Sequence, residues 1–118
     1  MNKVIKNGDK IDFSVDCGST WTVRFDYTDN DGNPIDLLGY IGRMYLKRNY
    51  NTPSAFEIST VIGNMVVANG YVTWTVTDEE TSTLLSGSYI YDVELESYDG
   101  TVSRFFEGKV VFNPEVTR

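Results

Sequence analysis

The chain has 118 residues, 41% hydrophobic and 14% aromatic, which suffices for one folded core and excludes disorder over most of its length. Its formal net charge of −7 disfavours contact with a phosphate backbone, so we expect no nucleic-acid partner. No apolar run approaches the ~20 residues of a membrane span, and the first residues lack the apolar core of a secretory signal, so we expect no membrane partner. These features predict one domain over residues 1–118 with short flexible ends.

The amino-acid types that are missing restrict the chemistry of the chain. Without histidine, Ser-His-Asp and Cys-His catalysis and His-ligated zinc are excluded. Cys17 is the single cysteine, and it has no disulfide partner and no histidine to activate it, so we expect a small buried hydrophobic residue. We therefore expect no catalytic residues, no cofactor and no metal, and no enzymatic activity.

Apolar and polar residues alternate in most of the chain, which predicts β-strands. The predicted strands cover residues 10–15, 20–28, 40–48, 55–60, 71–76, 88–97 and 102–112, with residues 62–67 ambiguous. Turns are predicted at Asn7-Gly8, Asn69-Gly70 and Asp99-Gly100, and Gly108 is a candidate β-bulge. Seven to nine strands about ten residues apart are typical of an all-β sandwich or barrel.

One short helical turn is predicted between two of these strands. Thr77 and Glu80 have the spacing of a capping box, with Thr77 as the N-cap, and Ser86-Gly87 is predicted to end the turn. A strand beginning near Tyr89 follows, with Leu84 as a packing partner for that ring. This order favours an immunoglobulin-like antiparallel β-sandwich with a tyrosine corner at Tyr89. The alternative is that Tyr89 and Tyr91 are two ordinary core rings.

Two groups of side chains could in principle form functional sites, but their strand positions favour structural roles. Trp21 and Trp74 lie in the apolar phase of their strands, so we expect core packing rather than a carbohydrate platform. The acidic row and the densest basic stretch are predicted to be solvated strand faces rather than catalytic carboxylates or a nucleic-acid patch. These residues are Asp92, Glu94 and Glu96, and Arg43, Lys47 and Arg48.

A calcium site is the remaining question. Asp29, Asp31 and Asn33 have metal-like spacing on a tight loop, and calcium prefers such clustered oxygens. The twelfth position of an EF-hand would fall on Tyr40, so that motif does not match. Turn-forming residues explain the same segment, and the sequence leaves calcium binding at these three residues open.

Several motifs occur in an order that resembles a known family. They are Gly8-Asp9, Asp31-Gly32-Asn33-Pro34-Ile35-Asp36-Leu37-Leu38-Gly39-Tyr40, Gly70-Tyr71-Val72-Thr73-Trp74, Gly87-Ser88-Tyr89-Ile90-Tyr91-Asp92-Val93-Glu94-Leu95, Asp99-Gly100 and the ending from Glu107-Gly108 to Arg118. This ordered set resembles small virion structural proteins of tailed phages, and is similar to the N-terminal domain of siphophage baseplate upper proteins. Leu38 stands where the family pattern usually carries Thr.

The resemblance implies a non-catalytic virion structural protein. It would assemble with other virion proteins in the tail, baseplate or neck, as a homo-oligomer or ring within the particle. The alternatives are a capsid-surface decoration protein, or a non-viral carbohydrate- or protein-binding β-sandwich module. The edge strands and both chain ends are expected to offer sites for such contacts.

Overall fold

The computed structural model describes residues 2–4 and 9–115, and they form a two-layer all-β sandwich with one short helix. The elements are β1 (Asn2–Val4), β2 (Asp9–Lys10), β3 (Phe13–Asp16), β4 (Trp21–Asp26), β5 (Ile41–Leu46), β6 (Phe56–Ser59), β7 (Met65–Ala68), β8 (Tyr71–Val76), α1 (Asp78–Ser82), β9 (Gly87–Glu96) and β10 (Val102–Asn113). The predicted Asn7-Gly8 turn and the outermost residues of the predicted flexible ends lie outside the described residues.

The strands form two sheets that face each other. The four-stranded sheet has the order β1-β4-β8-β7, and the six-stranded sheet has the order β2-β10-β9-β5-β6 with β3 also paired to β10. Most pairs are antiparallel, as predicted, but β1 runs parallel to β4, and β2 and β3 run parallel to β10. No hairpin joins these N-terminal strands to the strands they pair with, so their direction is not fixed by a tight turn.

The predicted first strand, residues 10–15, is divided between β2 and β3. Both lie along the same edge of β10, so the ten strands occupy nine positions in the two sheets. At the division, the Ile11 N–H donates to the Glu107 carbonyl at 2.8 Å, and the Asp12 carboxylate accepts the Lys109 N–H at 2.9 Å. A Cβ atom on Gly108 would lie 1.8 Å from the Ile11 carbonyl oxygen, so only glycine permits this close approach.

The β-bulge of β10 lies at Phe105, not at the predicted Gly108. The pairing with β9 shifts register between Arg104 and Phe106. A bulge places two successive side chains on the same side of a strand, and accordingly Phe105 and Phe106 are both fully buried. The bulge thus adds one aromatic ring to the core.

The core between the sheets follows the predicted alternation. Trp21 and Trp74 are buried and meet edge to face, with ring centroids 5.7 Å apart. The ring centroids of Phe25 and Phe106, which belong to opposite sheets, lie 4.7 Å apart. Met44 of β5 is also fully buried. Aromatic rings from both sheets therefore fill the interior of the sandwich.

The crossing from one sheet to the other contains the predicted capped turn. The Thr77 hydroxyl accepts the Glu80 N–H, and the Glu80 carboxylate accepts the Thr77 N–H, which completes the capping box. The helix ends at Ser82, earlier than the predicted Ser86-Gly87. The Tyr89 hydroxyl donates to the Leu85 carbonyl at 2.6 Å, so the predicted tyrosine corner is present.

Candidate interaction surface

The outward-pointing side chains of the six-stranded sheet form a charged surface, which we call the outer face. Five basic and six acidic side chains lie on it, so its own charge is close to zero. They are Lys10, Arg43, Lys47, Arg104 and Lys109, and Asp12, Glu57, Asp92, Glu94, Glu96 and Glu107. Nearly all of the net charge of −7 therefore lies elsewhere on the molecule.

Ion pairs connect neighbouring strands across the outer face. Arg43 of β5 contacts Glu96 at 2.7 Å and Glu94 at 3.8 Å, both on β9. Arg104 of β10 contacts Asp92 at 3.4 Å. The hydrogen bond to Glu96 raises the pKa of Arg43 above its ordinary value. The acidic row of β9 is thus a solvated, ion-paired strand face, as predicted from its alternation.

A groove of about 610 Å³ lies in the middle of the outer face, and we call it the lysine groove. The side chains that line it include Tyr45, Tyr50 and Ile90, together with Lys10, Lys47 and Lys109. Tyr50 is 81% exposed, although it is aromatic. The three lysine ammonium groups make no ion pair with any described residue. Acidic side chains line the groove as well, among them Asp12 and Glu107, so it combines aromatic rings with a balanced set of charges.

One wall of the lysine groove is fixed by the division between β2 and β3. The buried Tyr91 hydroxyl donates to the Ile11 carbonyl at 2.6 Å. Burial of the phenol, followed by the nearby negative charges of Asp12 and Glu107, raises the pKa of Tyr91 far above its ordinary value. Two hydrogen bonds hold the wall in place: the neutral Tyr91 hydroxyl donates to the Ile11 carbonyl, and the Asp12 carboxylate accepts the Lys109 N–H of β10.

The edge of the six-stranded sheet at β6 is closed by one side chain. The Asn64 amide oxygen accepts the Ser59 N–H at 2.8 Å, and its NH₂ group donates to the Glu57 carbonyl at 3.2 Å. These bonds occupy backbone groups that an added strand would otherwise use. We expected edge strands in general to offer contact sites, but the edge at β6 is blocked at these two residues.

The N-terminal strand also differs from its predicted role. Asn2–Val4 pair with β4 of the same chain. We expected residues 1–7 to be available to a neighbouring sheet, but the part described here completes this chain's own sheet. Towards the other end of the chain, Asn113 is the last residue of β10 and pairs with Asp16.

The possible calcium ligands form a self-contained turn. One carboxylate oxygen of Asp29 accepts the N–H groups of Asp31 and Asn33, each at 2.9 Å. This is the bonding expected of a turn built on an aspartate. Within residues 2–4 and 9–115, no group of three or more His, Cys, Asp or Glu side chains is arranged to hold a metal ion.

The remaining residues that the sequence singled out are packed in the core or against it. Cys17 is buried, with its sulfur 3.7 Å from the Leu84 carbonyl oxygen. Trp21 and Trp74 are in the core, so they form no surface platform. Arg48 lies over the Tyr89 ring at 4.2 Å. The described residues include no helix long and apolar enough to cross a membrane.

Sequence patterns did not reveal the lysine groove. Tyr45 and Lys47 were recognisable as outward residues of one strand, but Tyr50 follows that strand in a polar loop without periodicity. Lys10 and Lys109 come together only because the first part of the chain pairs with the last strand. Such a non-local pairing has no local sequence pattern.

Comparisons with known proteins bear on the fold. The sequence matches no family model and no curated protein at a significant level. The structure is similar to the N-terminal domain of phage TP901-1 ORF48, with a TM-score of 0.50 and 13% sequence identity. The match covers 98% of this chain and 100% of that domain. The chain is thus an all-β sandwich, as predicted, and it shares its fold with a domain of a phage protein.

Proposed function

We propose that this protein is a non-catalytic virion structural protein of a tailed phage, which assembles through protein–protein contacts in the tail, baseplate or neck. The observation that carries the proposal is the similarity of fold to a phage protein domain over nearly the whole chain. The ordered sequence motifs support the same class of protein independently of the coordinates. Fold similarity alone is compatible with several functions, so the proposal needs a direct test.

The chemistry of the outer face supports binding rather than catalysis. The carboxylates of Asp92, Glu94 and Glu96 each form an ion pair with an arginine, as expected of a solvated strand face. The cysteine thiol is buried in the core. What the outer face presents is a groove whose lining includes Tyr45, Tyr50 and Arg104, and tyrosine and arginine are residue types enriched where proteins contact each other.

The proposal is tested on phage particles from the strain that carries the gene. We expect the protein to co-purify with intact particles through a density gradient, and to be found in them by mass spectrometry. Antibody labelling in electron micrographs is expected to mark the tail, baseplate or neck. Labelling of the capsid surface would favour the decoration role instead. Absence from particles, together with glycan binding by a monomer, would contradict a virion role.

A further inference from the structure

We propose that two copies of this chain pair through the open edge of β7, so that their four-stranded sheets join across a two-fold axis at Val66. The inference rests on the proposed function, because a virion structural protein is expected to occur in several copies that contact one another. Three observations carry it: backbone groups of β7 that face outwards, a long uncharged stretch of sequence around this strand, and exposed aliphatic side chains beside it.

The hydrogen bonds of β7 leave one row of its backbone groups unused. The pairing with β8 is antiparallel, and the Thr75 N–H donates to the Asn64 carbonyl at 3.0 Å. Hydrogen-bonded pairs alternate along an antiparallel ladder, so every second residue from Val66 onwards bonds to β8. The N–H and C=O groups of Met65 and Val67 therefore face the edge, and no residue in the described ranges hydrogen-bonds to them.

The other sheet edges differ from β7 because they carry charge or are closed. Charged residues on an edge strand oppose its pairing with another chain. β1 contains Lys3, β2 and β3 each contain an aspartate, and the Asn64 side chain closes the edge at β6. β7 has the sequence Met65-Val66-Val67-Ala68, without a charged residue. It is therefore the edge best suited to accept another strand.

The distribution of charge favours a second copy as the partner. Residues 58–77 contain no Asp, Glu, Lys or Arg, and they form the longest uncharged stretch of a chain whose net charge is −7. Copies of such an acidic chain repel each other, so they approach most easily through an uncharged surface. A partner of opposite charge would instead gain from acidic residues at the contact. Glu80 lies in the same depression as Val66, but its carboxylate accepts the Thr77 N–H in the capping box.

The residues on either side of β7 limit how another strand can pair with it. Before the strand, the Gly63 N–H donates to the Ser59 carbonyl at 3.0 Å. After the strand, Asn69 is already bridged to Asp36. The unused groups are thus confined to the strand itself, so a register displaced towards either end would lose hydrogen bonds.

The register that uses all of these groups is symmetric. When Met65 of one copy pairs with Val67 of the other, two equivalent pairs form, and each exchanges both of its N–H···O bonds. Val66, which is 49% exposed, then faces the same residue of the second copy across the axis. Val61 and Ile62 are also exposed and precede β7, so they extend the apolar contact at its two ends. Such an isologous contact closes as a dimer.

A disulfide at the axis tests this register. In a pair of antiparallel residues that share no hydrogen bonds, the Cα atoms lie about 4.5 Å apart, which a disulfide can span. We expect Val66→Cys to form a covalent dimer with oxidised glutathione at least ~tenfold faster than Leu85→Cys, because pairing holds the two thiols together. Leu85 is the control, since it is 75% exposed and lies outside β7. Equal rates for the two variants would overturn the proposed axis.

Analytical ultracentrifugation measures the pairing without a covalent link. We expect the wild type to dimerise more strongly at about 500 mM salt than at about 20 mM, because salt screens the repulsion between acidic copies. Val66→Lys places like charges opposite each other at the axis and should weaken dimerisation at least ~tenfold. Val111→Lys is the matched control, since it adds the same charge at an exposed valine of β10 and should have little effect.

The outcomes separate this proposal from the proposed function. A wild type that stays monomeric at all concentrations overturns the pairing, as does a Val66→Lys variant that dimerises normally. A Val66→Cys variant that cross-links in phage particles to a different protein, and not to its own copy, overturns it as well. Presence in phage particles is scored separately, so the two proposals can fail independently.

Discussion

The two faces of strand β9 differ in chemistry although they belong to the same ten residues. Tyr91 and Val93 point into the core and are almost completely buried. Asp92 and Glu94 point outwards, remain partly exposed and contact arginines of the neighbouring strands. The inner face is constrained by packing against the opposite sheet, whereas the outer face is constrained only by charge balance. The outer face can therefore change to suit a partner without loss of the fold.

The energies expected from substitutions also differ between the inner and outer faces. Removal of a large buried aromatic side chain typically costs 3–5 kcal/mol, because the cavity does not fully collapse. An exposed ion pair typically contributes 0.2–1 kcal/mol. Substitutions on the two faces of the six-stranded sheet should therefore separate stability from binding.

The largest effect is expected for Trp74→Ala. Trp74 is 1% exposed and contacts Trp21, Phe25 and Phe106, so its loss should lower the free energy of unfolding by roughly 3–5 kcal/mol. Urea denaturation followed by far-UV circular dichroism measures this change. Tyr50→Ala on the outer face is the matched control and should change stability by less than about 0.5 kcal/mol. A cost below about 1 kcal/mol for Trp74→Ala, with binding lost, would instead place this ring in a surface site.

A second, smaller effect concerns Tyr91, which belongs to the inner face but touches the groove wall. Its pKa is raised in the folded state, so the phenol stays neutral there while it ionises in the unfolded chain. The associated stability is present below the unfolded pKa of about 10, and falls by about 1.4 kcal/mol per pH unit above it. Tyr91→Phe should remove this alkaline dependence and cost about 1–2 kcal/mol near neutral pH, because the Ile11 carbonyl loses its donor.

Urea denaturation of Tyr91→Phe and wild type between neutral pH and pH ~11 provides the measurement. The difference in stability between the two proteins should shrink as the pH rises above ~10, since only the wild type loses this contribution. Tyr50→Phe serves as the control, because its ring is exposed. Parallel pH curves for Tyr91→Phe and wild type would show that Tyr91 ionises equally in the folded and unfolded states.

Local patterns predicted the inner face well. Alternation identified the buried residues of β4, β8 and β9, and the capping box marked the start of α1, because both depend on neighbours in the sequence. The bulge at Phe105 was missed, since it depends on the register between β10 and β9. The closing role of Asn64 was missed as well, because it requires knowing that β6 is an edge strand.

The outer face was harder to predict for the same physical reason. Its charges could be assigned to a solvated side, but their partners lie on strands that are distant in sequence. Arg43 and Glu96 are 53 positions apart and meet only after β5 pairs with β9. The lysine groove requires β2 to pair with β10. Non-local pairing therefore decides where a binding surface forms.

The smallest effect is expected for Arg43→Ala. This variant is the sharpest check of whether the outer face contributes less to stability than the inner face. Its ion pairs with Glu94 and Glu96 are partly exposed, so the free energy of unfolding should fall by only about 0.2–1 kcal/mol, and less at high salt. Urea denaturation at low and high salt measures both values, with Arg104→Ala as a second variant of the same face. A loss above about 2 kcal/mol would exceed what exposed pairs contribute. The outer face would then be part of what stabilises the sandwich, and it could not vary independently to suit a partner.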